Sequence, residues 1–242
     1  MYLTRLVLNP RHRAVQRDLA DCQAMHRTVM SLFPQSPGGP ARTQMGVLYR
    51  LETNPHAGGV NLLIQSEVRP DWSGLPPGYL QEPTGPLGNP ACKAVDEQYA
   101  AIATGERLRF RLRANPTRKV DTHSGPGGER RNGRRVGLGD EEAQLAWLSR
   151  KGEQCGFALL NARAAPSVVN VRSAPEARLV GWRAQGSGDE ERETRRLTFA
   201  PVLFEGELRV TDAERFREAL GQGIGPAKAY GFGLLSVAPV ER

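Results

Sequence analysis

The sequence has few cysteines and no long apolar run, and each shortage excludes a class of protein. Cys22, Cys92 and Cys155 are odd in number and widely spaced, which argues against a disulfide framework or a zinc site and indicates a reducing compartment. The opening segment MYLTRLVLNP is too short in apolar residues for a signal peptide, and no stretch reaches membrane-spanning length. We therefore expect a soluble cytoplasmic protein without a membrane partner.

Lysine is also scarce, because only Lys93, Lys119, Lys151 and Lys228 are present among 33 basic residues, and the rest are arginine. With 26 acidic residues the net charge is +7, and the pI is near 9.8. A GC-rich genome would also favour arginine codons, but the planar guanidinium fork is well suited to phosphate groups. The charge therefore indicates an acidic partner.

One stretch concentrates this charge. Over residues 107–114 arginines alternate with apolar residues, and this period of two predicts a half-buried strand, taken to extend over 107–120, whose arginines face away from the core. Like charges at this spacing repel unless carboxylates or a bound polyanion neutralise them, and the strand continues into Arg118 and Lys119. An ordinary solvated strand face is the alternative. We call the following four residues the arginine row: Arg107, Arg109, Arg111 and Arg113.

The two halves of the chain show similar orders of predicted elements. In the first half we expect a strand, one helix through residues 13–34, a strand pair, a Pro/Gly-rich stretch and a closing strand within 94–102. In the second half the arginine strand precedes a mobile Gly/Arg segment (123–139) and a helix capped by Asp140 over 140–160. Two further strand segments, a helix capped by Thr211 or Asp212, and a last strand follow. The strand segments lie at 167–174 and 197–210, with an exposed hairpin tip at 186–196.

The second half therefore reads as β-α-β-β-α-β, and the first half has the same order, with room for at most one short helical turn in the Pro/Gly-rich stretch where the second helix would be. The fold class we predict is α+β, with two tandem ferredoxin-like, RRM-like domains. We place the N-terminal domain at residues 1–103 and the C-terminal domain, with the basic strand and a glycine-rich loop, at residues 104–242.

The glycine-rich loop lies between the last predicted helix and the last strand. Glycine permits positive φ and close backbone approach, as a phosphate-cradling loop requires. The segment is not a Walker loop, because Lys228 lies between Ala227 and Ala229, and it is not a dinucleotide fingerprint, because a helix precedes it. A helix C-cap followed by a crowded turn is the alternative. The glycines selected as site residues are Gly223, Gly225, Gly231 and Gly233.

Several motifs together resemble one family. The segments GIGPAKAYGFGLLSVAP (223–239) and FEGELRV (204–210) resemble the C-terminal signature of the CasE endoribonucleases of type I-E Cascade systems, and MYLTRLVLNP, RFRLRANPTRK and EEAQLAWL resemble other family segments in the same order. The resemblance implies tandem ferredoxin-like domains and one metal-independent cut at the 3′ base of a CRISPR repeat hairpin. It also implies that the product RNA stays bound within Cascade. No cofactor or metal is expected, and the isolated chain is expected to be a monomer.

The resemblance also selects a catalytic residue. His26 matches the family's catalytic histidine, and imidazole exchanges protons near neutral pH, although the sequence does not decide whether it acts as acid or base. Many family members carry a tyrosine three residues earlier, where this chain has Gln23, which can hydrogen-bond but cannot exchange a proton. Arg27 and Lys228 are candidates for contact with negative charge or with the RNA backbone, and a solvent-facing role is the alternative for each.

RNA binding is expected along the arginine row, with the segment ERRNGRR closing over the phosphates. Aromatic residues are only 6% of the chain and the RNP pattern is absent, so helical RNA is expected rather than a splayed single strand. Two other functions stay open: a non-catalytic scaffold that caps the hairpin, and a double-stranded DNA binder. The predicted RNA ligands are Arg107, Arg109, Arg111, Arg113, Arg118, Lys119, Arg130, Arg131, Arg134, Arg135 and Lys228.

Overall fold

The computed structural model describes residues 1–35, 41–54, 59–83, 86, 88–122, 131–162, 165–185 and 193–240. Within them the chain forms two antiparallel sheets, each covered by helices, and three smaller two-stranded ribbons. No helix of this part of the chain has the length and apolar character needed to cross a membrane.

The first sheet has the strand order β2-β3-β1-β4, with every neighbouring pair antiparallel. Its core lies between this sheet and the helices that follow β1, and includes Leu6, Met25, Val29 and Ile64. The elements are β1 Tyr2–Leu8, α1 Arg13–Ala20, α2 Cys22–Met30, α3 Ala41–Gln44, β2 Leu48–Asn54, β3 Gly59–Ser66, β4 Ala91–Ala94 and α4 Asp96–Ala100.

The second sheet has the order β11-β14-β5-β15, with β8 pairing β14 as well. If the four strands of each path are renumbered 1 to 4 in chain order, both sheets have the order 2-3-1-4, with the first and third strands in the centre. The prediction of two tandem ferredoxin-like units in an α+β fold is confirmed. The elements are β5 Arg107–Ala114, β6 Thr117–Thr122, β7 Arg131–Gly137, α5 Glu141–Gln154, β8 Phe157–Leu159, β9 Asn161–Ala162, β10 Ala165–Val169, β11 Val171–Pro175, β12 Leu179–Gln185, β13 Glu193–Phe199, β14 Val202–Val210, α6 Ala213–Gln222, a 3-10 turn Lys228–Tyr230, and β15 Leu235–Pro239.

Several predicted elements are corrected. The closing strand of the first half is Ala91–Ala94, and most of the segment assigned to it forms α4, whose first turn carries Asp96 and Glu97 where acidic side chains stabilise a helix. The helix predicted over 140–160 ends at Gln154, because Gly156 adopts a positive φ of 74° and β8 follows.

The arginine strand also differs from its prediction. It ends at Ala114, and a second strand, β6, pairs with β7 inside the segment predicted to be mobile. Residues 123–130 of that segment lie outside the described residues, as do residues 186–192 of the predicted hairpin tip. The domain limits 1–103 and 104–242 stay a prediction, and their junction lies between α4 and β5.

Side chains of the first sheet hold the second. Arg50 is 2% exposed, and its Nη1 donates to the carbonyl oxygens of Leu234 at 3.0 Å and Arg111 at 3.2 Å. Gln65 Nε2 donates to the Leu220 carbonyl at 2.6 Å. Because these bonds join the domains through buried groups, they fix the loop after α6 relative to the helices of the first domain.

Candidate active site and RNA interface

The helix that carries His26 begins at an internal cap. We predicted one helix through residues 13–34, but Asp21 has an extended conformation (φ −132°, ψ 109°) and divides it into α1 and α2. The Asp21 carboxylate accepts from the Gln23 backbone N–H at 2.9 Å, which is the bond that favours aspartate at an N-cap. The resulting α2 buries Met25 and Val29 in the first domain and leaves Arg27 exposed.

His26 lies at the edge of this buried face, against the loop from the second domain. Its ring meets the Tyr230 ring edge-on, with centroids 6.0 Å apart. Burial, and next the charge of Arg42, lower the pKa of His26, while the Ala229 backbone partly opposes the shift. The imidazole is therefore neutral at physiological pH.

Two acceptor atoms on α2 have no partner. Gln23 Oε1 and His26 Nδ1 are the buried side-chain polar atoms that find no hydrogen bond among the described residues. They are three positions apart on the helix, and therefore lie on the same face. Buried polar atoms are nearly always paired, so an unpaired set at one place indicates a group that arrives from outside. Nδ1 is the ring nitrogen without a partner, so it is the atom available to accept a proton when the ring is neutral.

The glycine-rich loop is tightly packed. All four glycines selected from the sequence have positive φ, and Gly223 caps the C-terminus of α6. The conformation is needed most at Gly233 (φ 89°), where a Cβ would lie 2.9 Å from the Ile224 carbonyl oxygen. The alternative of a helix C-cap and crowded turn thus accounts for the glycines, and the same turn delivers Lys228, Ala229 and Tyr230 to α2.

Three members of the arginine row are paired with glutamates, and two of these arginines, Arg107 and Arg111, are exposed. Arg107 contacts Glu207 at 2.9 Å, while Arg111 contacts Glu205 at 2.6 Å and Glu52 at 3.1 Å. The repulsion expected along the strand is therefore relieved by carboxylates of β14 and β2 without RNA. Whether Arg107, Arg109 and Arg111 bind phosphates in addition stays a prediction.

Arg113 differs from the expectation of a solvent-facing cation. It is 8% exposed, its Nε donates to Glu176 at 2.6 Å, and its guanidinium lies 4.9 Å from the Phe232 ring centroid. The row is thus not an open surface along its whole length, and we expect Arg113 to stabilise the fold rather than to contact RNA.

The β6–β7 ribbon carries exposed cations instead. Arg118, Lys119 and Arg135 are exposed, and Lys119 lies directly opposite Arg135 across the two strands. Like charges in that position are destabilising by themselves, so this ribbon fits a polyanion. Arg130, and the side chains of Arg131 and Arg134, lie outside the described residues.

A cavity of about 670 Å³ lies between this ribbon and the glycine-rich loop. Arg135, Arg178 and Tyr230 line it, together with Phe199 of β13. Tyr230 also meets the His26 ring, so the wall of this cavity and the histidine share one residue.

Sequence reasoning missed three residues of this site: Arg42, Tyr49 and Tyr230. The Tyr49 hydroxyl donates to the Ala229 carbonyl at 2.9 Å and so supports the contact with His26. Tyr230 is part of the glycine-rich motif, so the sequence placed it in the loop but not against His26. No local pattern connects Arg42 or Tyr49 with His26. Within the described part of the chain, no three His, Cys, Asp or Glu side chains come together as metal ligands would.

Together these features define a class: a tandem ferredoxin-like protein with a neutral histidine at a basic, partly buried site between its domains. The chain belongs to the family described as CRISPR associated protein, whose model matches residues 1–239. It is 38% identical over 241 residues to the CRISPR-associated endoribonuclease Cse3 of Thermus thermophilus, covering 99% of this chain and 100% of that protein.

Two further comparisons agree. The CRISPR system Cascade subunit CasE of Escherichia coli is 30% identical over 242 residues, covering 99% of this chain and 100% of CasE. A solved structure of CRISPR endoribonuclease Cse3 bound to a 19-nucleotide RNA superposes with a TM-score of 0.75 at 37% identity, covering 98% of this chain and 99% of that one. The resemblance to the CasE endoribonucleases is therefore confirmed over essentially the whole chain.

Proposed function

We propose that this protein is a metal-independent endoribonuclease that cuts CRISPR precursor RNA at the 3′ base of the repeat hairpin. It then keeps the processed RNA as a subunit of Cascade in the cytoplasm. The names of its relatives support the activity and the assembly, because one is an endoribonuclease and the other a Cascade subunit. The contacts around His26 support the chemistry.

The observation that carries the proposal is the pair of unpartnered acceptors, Gln23 Oε1 and His26 Nδ1. A ribose 2′-OH brings one donor to this face of α2. That donor goes to His26, because the neutral ring accepts the 2′-OH proton at Nδ1, and the side-chain amide N–H of Gln23 donates to the 2′ oxygen and orients it. Gln23 thereby positions the nucleophile, although it cannot exchange the proton that a tyrosine could.

Bond changes follow from this placement. The 2′ oxygen attacks the adjacent phosphorus, the bond from phosphorus to the 5′ oxygen breaks, and the leaving oxygen takes a proton from solvent. The products are a 2′,3′-cyclic phosphate and a 5′-OH. Arg27, Arg118, Lys119 and Arg135 are exposed cations that fit the phosphates of the stem, setting its register while bases near its foot give specificity.

A cleavage assay with end-labelled repeat hairpin tests the mechanism. We expect unchanged cutting in excess chelator, and no cutting of a hairpin whose nucleotide 5′ of the cleaved linkage is 2′-deoxy, while that hairpin still binds. Loss of cutting under chelation, or cutting of the deoxy substrate, would contradict the 2′-OH mechanism. Tight binding of unmodified RNA without any cutting would leave the scaffold function instead.

The pH profile tests the assignment of His26 as base. Because burial and Arg42 lower its pKa below the usual value near 6.5, kcat/KM should rise with pH through a midpoint below about 6.5 and stay level at neutral pH. A rate that falls as the pH increases through this midpoint would assign His26 as the acid. Stopped single-turnover assays from pH 5 to 8 distinguish the two outcomes.

A further inference from the structure

A second cavity, of about 540 Å³, lies on the other side of the glycine-rich loop. It is formed between α3, the start of β2 and the C-terminal end of α6, so both domains contribute to its wall. Its lining residues include the cations Arg42, Arg217 and Lys228 and the carboxylates Glu67 and Glu218.

Two of these cations lack a carboxylate partner. Among the described residues neither Arg42 nor Lys228 forms an ion pair, and Arg42 donates only to the Val47 carbonyl at 3.3 Å and the Thr43 hydroxyl at 3.2 Å. Arg217 differs, because its guanidinium already donates to two backbone carbonyls at 3.0 Å. The cavity therefore contains two cations whose donors are largely available.

These two cations also affect each other. Both are half-buried, and burial followed by the charge of Arg42 lowers the pKa of Lys228. The same arginine lowers the pKa of His26. Arg42 therefore acts on both Lys228 and the imidazole, and Arg42 and Lys228 share the wall of one cavity. Two like charges held in a partly dry cavity are stabilised by an anion.

We propose that Arg42 and Lys228 form a subsite that binds one phosphate group of the RNA at the cleavage position. This inference rests on the proposed function. The chain places Lys228 next to Ala229, whose backbone contacts His26, so a phosphate in the subsite lies beside the ribose that His26 deprotonates. A phosphate is the anion of the bound RNA, and its oxygens accept from both side chains at once.

The subsite can be tested by binding alone, so that its failure differs from failure of the cleavage mechanism. The probe is a repeat hairpin made uncleavable by one 2′-deoxy nucleotide at the cut, with a single uncharged methylphosphonate at the cleaved linkage or at one of its two neighbours. For the wild-type protein we expect one of these three substitutions to weaken binding roughly tenfold, the size of one lost charge-assisted hydrogen bond.

In Arg42→Gln and Lys228→Gln, binding of the uncleavable all-phosphate hairpin should weaken, and the slope of its salt dependence should fall by about one unit. The methylphosphonate that weakens binding by the wild-type protein should reduce the affinity of these variants little further. Lys228→Arg should restore the wild-type pattern. Arg150→Gln, an exposed charge on α5, is the control and should keep the full methylphosphonate penalty. If both glutamine variants keep the wild-type penalty at every linkage, the subsite does not exist, even where His26-dependent cleavage of unmodified RNA is intact.

Discussion

Replacing His26 with alanine is expected to slow cleavage of the repeat hairpin roughly 10²- to 10⁴-fold, which is the usual contribution of a general acid or base. The ring is half-buried, and its Nδ1 has no hydrogen-bond partner among the described residues. The variant therefore removes the proton acceptor and little of the core. Single-turnover cleavage at saturating protein measures the loss, and the affinity for uncleavable hairpin should change little.

His12→Ala is a matched control. His12 caps α1 through Nδ1, which accepts from the Ala14 backbone at 3.2 Å, and its ring packs edge-on against Tyr79. Its loss costs helix stability of about 1 kcal/mol but should leave the rate of cleavage near that of the wild type. Cleavage by His26→Ala at the wild-type rate, or an equal loss in both histidine variants, would remove His26 from the chemistry.

Local sequence patterns predicted the parts of the fold that depend on near neighbours. The alternation over 107–114 gave the strand and its buried apolar face, and the caps at Asp140 and Asp212 are formed by side chains that accept from nearby backbone N–H groups. Asp21 is a cap of the same kind, but it stands inside an otherwise continuous helical pattern. The helical period on both sides concealed the break.

The contacts that shape the site connect residues far apart in sequence. Glu205 and Glu207 neutralise β5 through pairing of strands about a hundred positions apart, which no spacing in the arginine segment reveals. β7 forms from a segment too polar to be predicted as a strand, because its stability depends on pairing with β6 rather than on burial. Arg42 and His26 lie on different helices of the first domain, so the charge of Arg42 acts on the imidazole only once that domain has folded.

The same long-range contacts give the second large expected effect. Arg50→Met should lower the free energy of unfolding by about 3–5 kcal/mol, the cost of removing one partner from a buried ion pair. Arg50 is 2% exposed, and besides its two carbonyl partners it donates to Glu52 at 2.7 Å and the Ser236 hydroxyl at 3.0 Å. Methionine fills much of the volume but leaves these acceptors unpaired. Urea denaturation followed by circular dichroism measures the loss.

Arg107→Met is the contrasting variant, because the Arg107–Glu207 pair is exposed and should contribute at most about 1 kcal/mol.

The pH dependence of stability also distinguishes Arg50→Met from Arg107→Met. Burial alone would raise the pKa of Glu52, but Arg50 and Arg111 hold it below its usual value. Its contribution to stability is therefore present above about pH 4.3, its unfolded pKa, and is lost as the pH falls through the lower folded pKa. The deficit of Arg50→Met should shrink over that acidic range. Equal losses in the two variants would mean that Arg50 does not hold the domains together, and the position of Ala229 against His26 would then need another support.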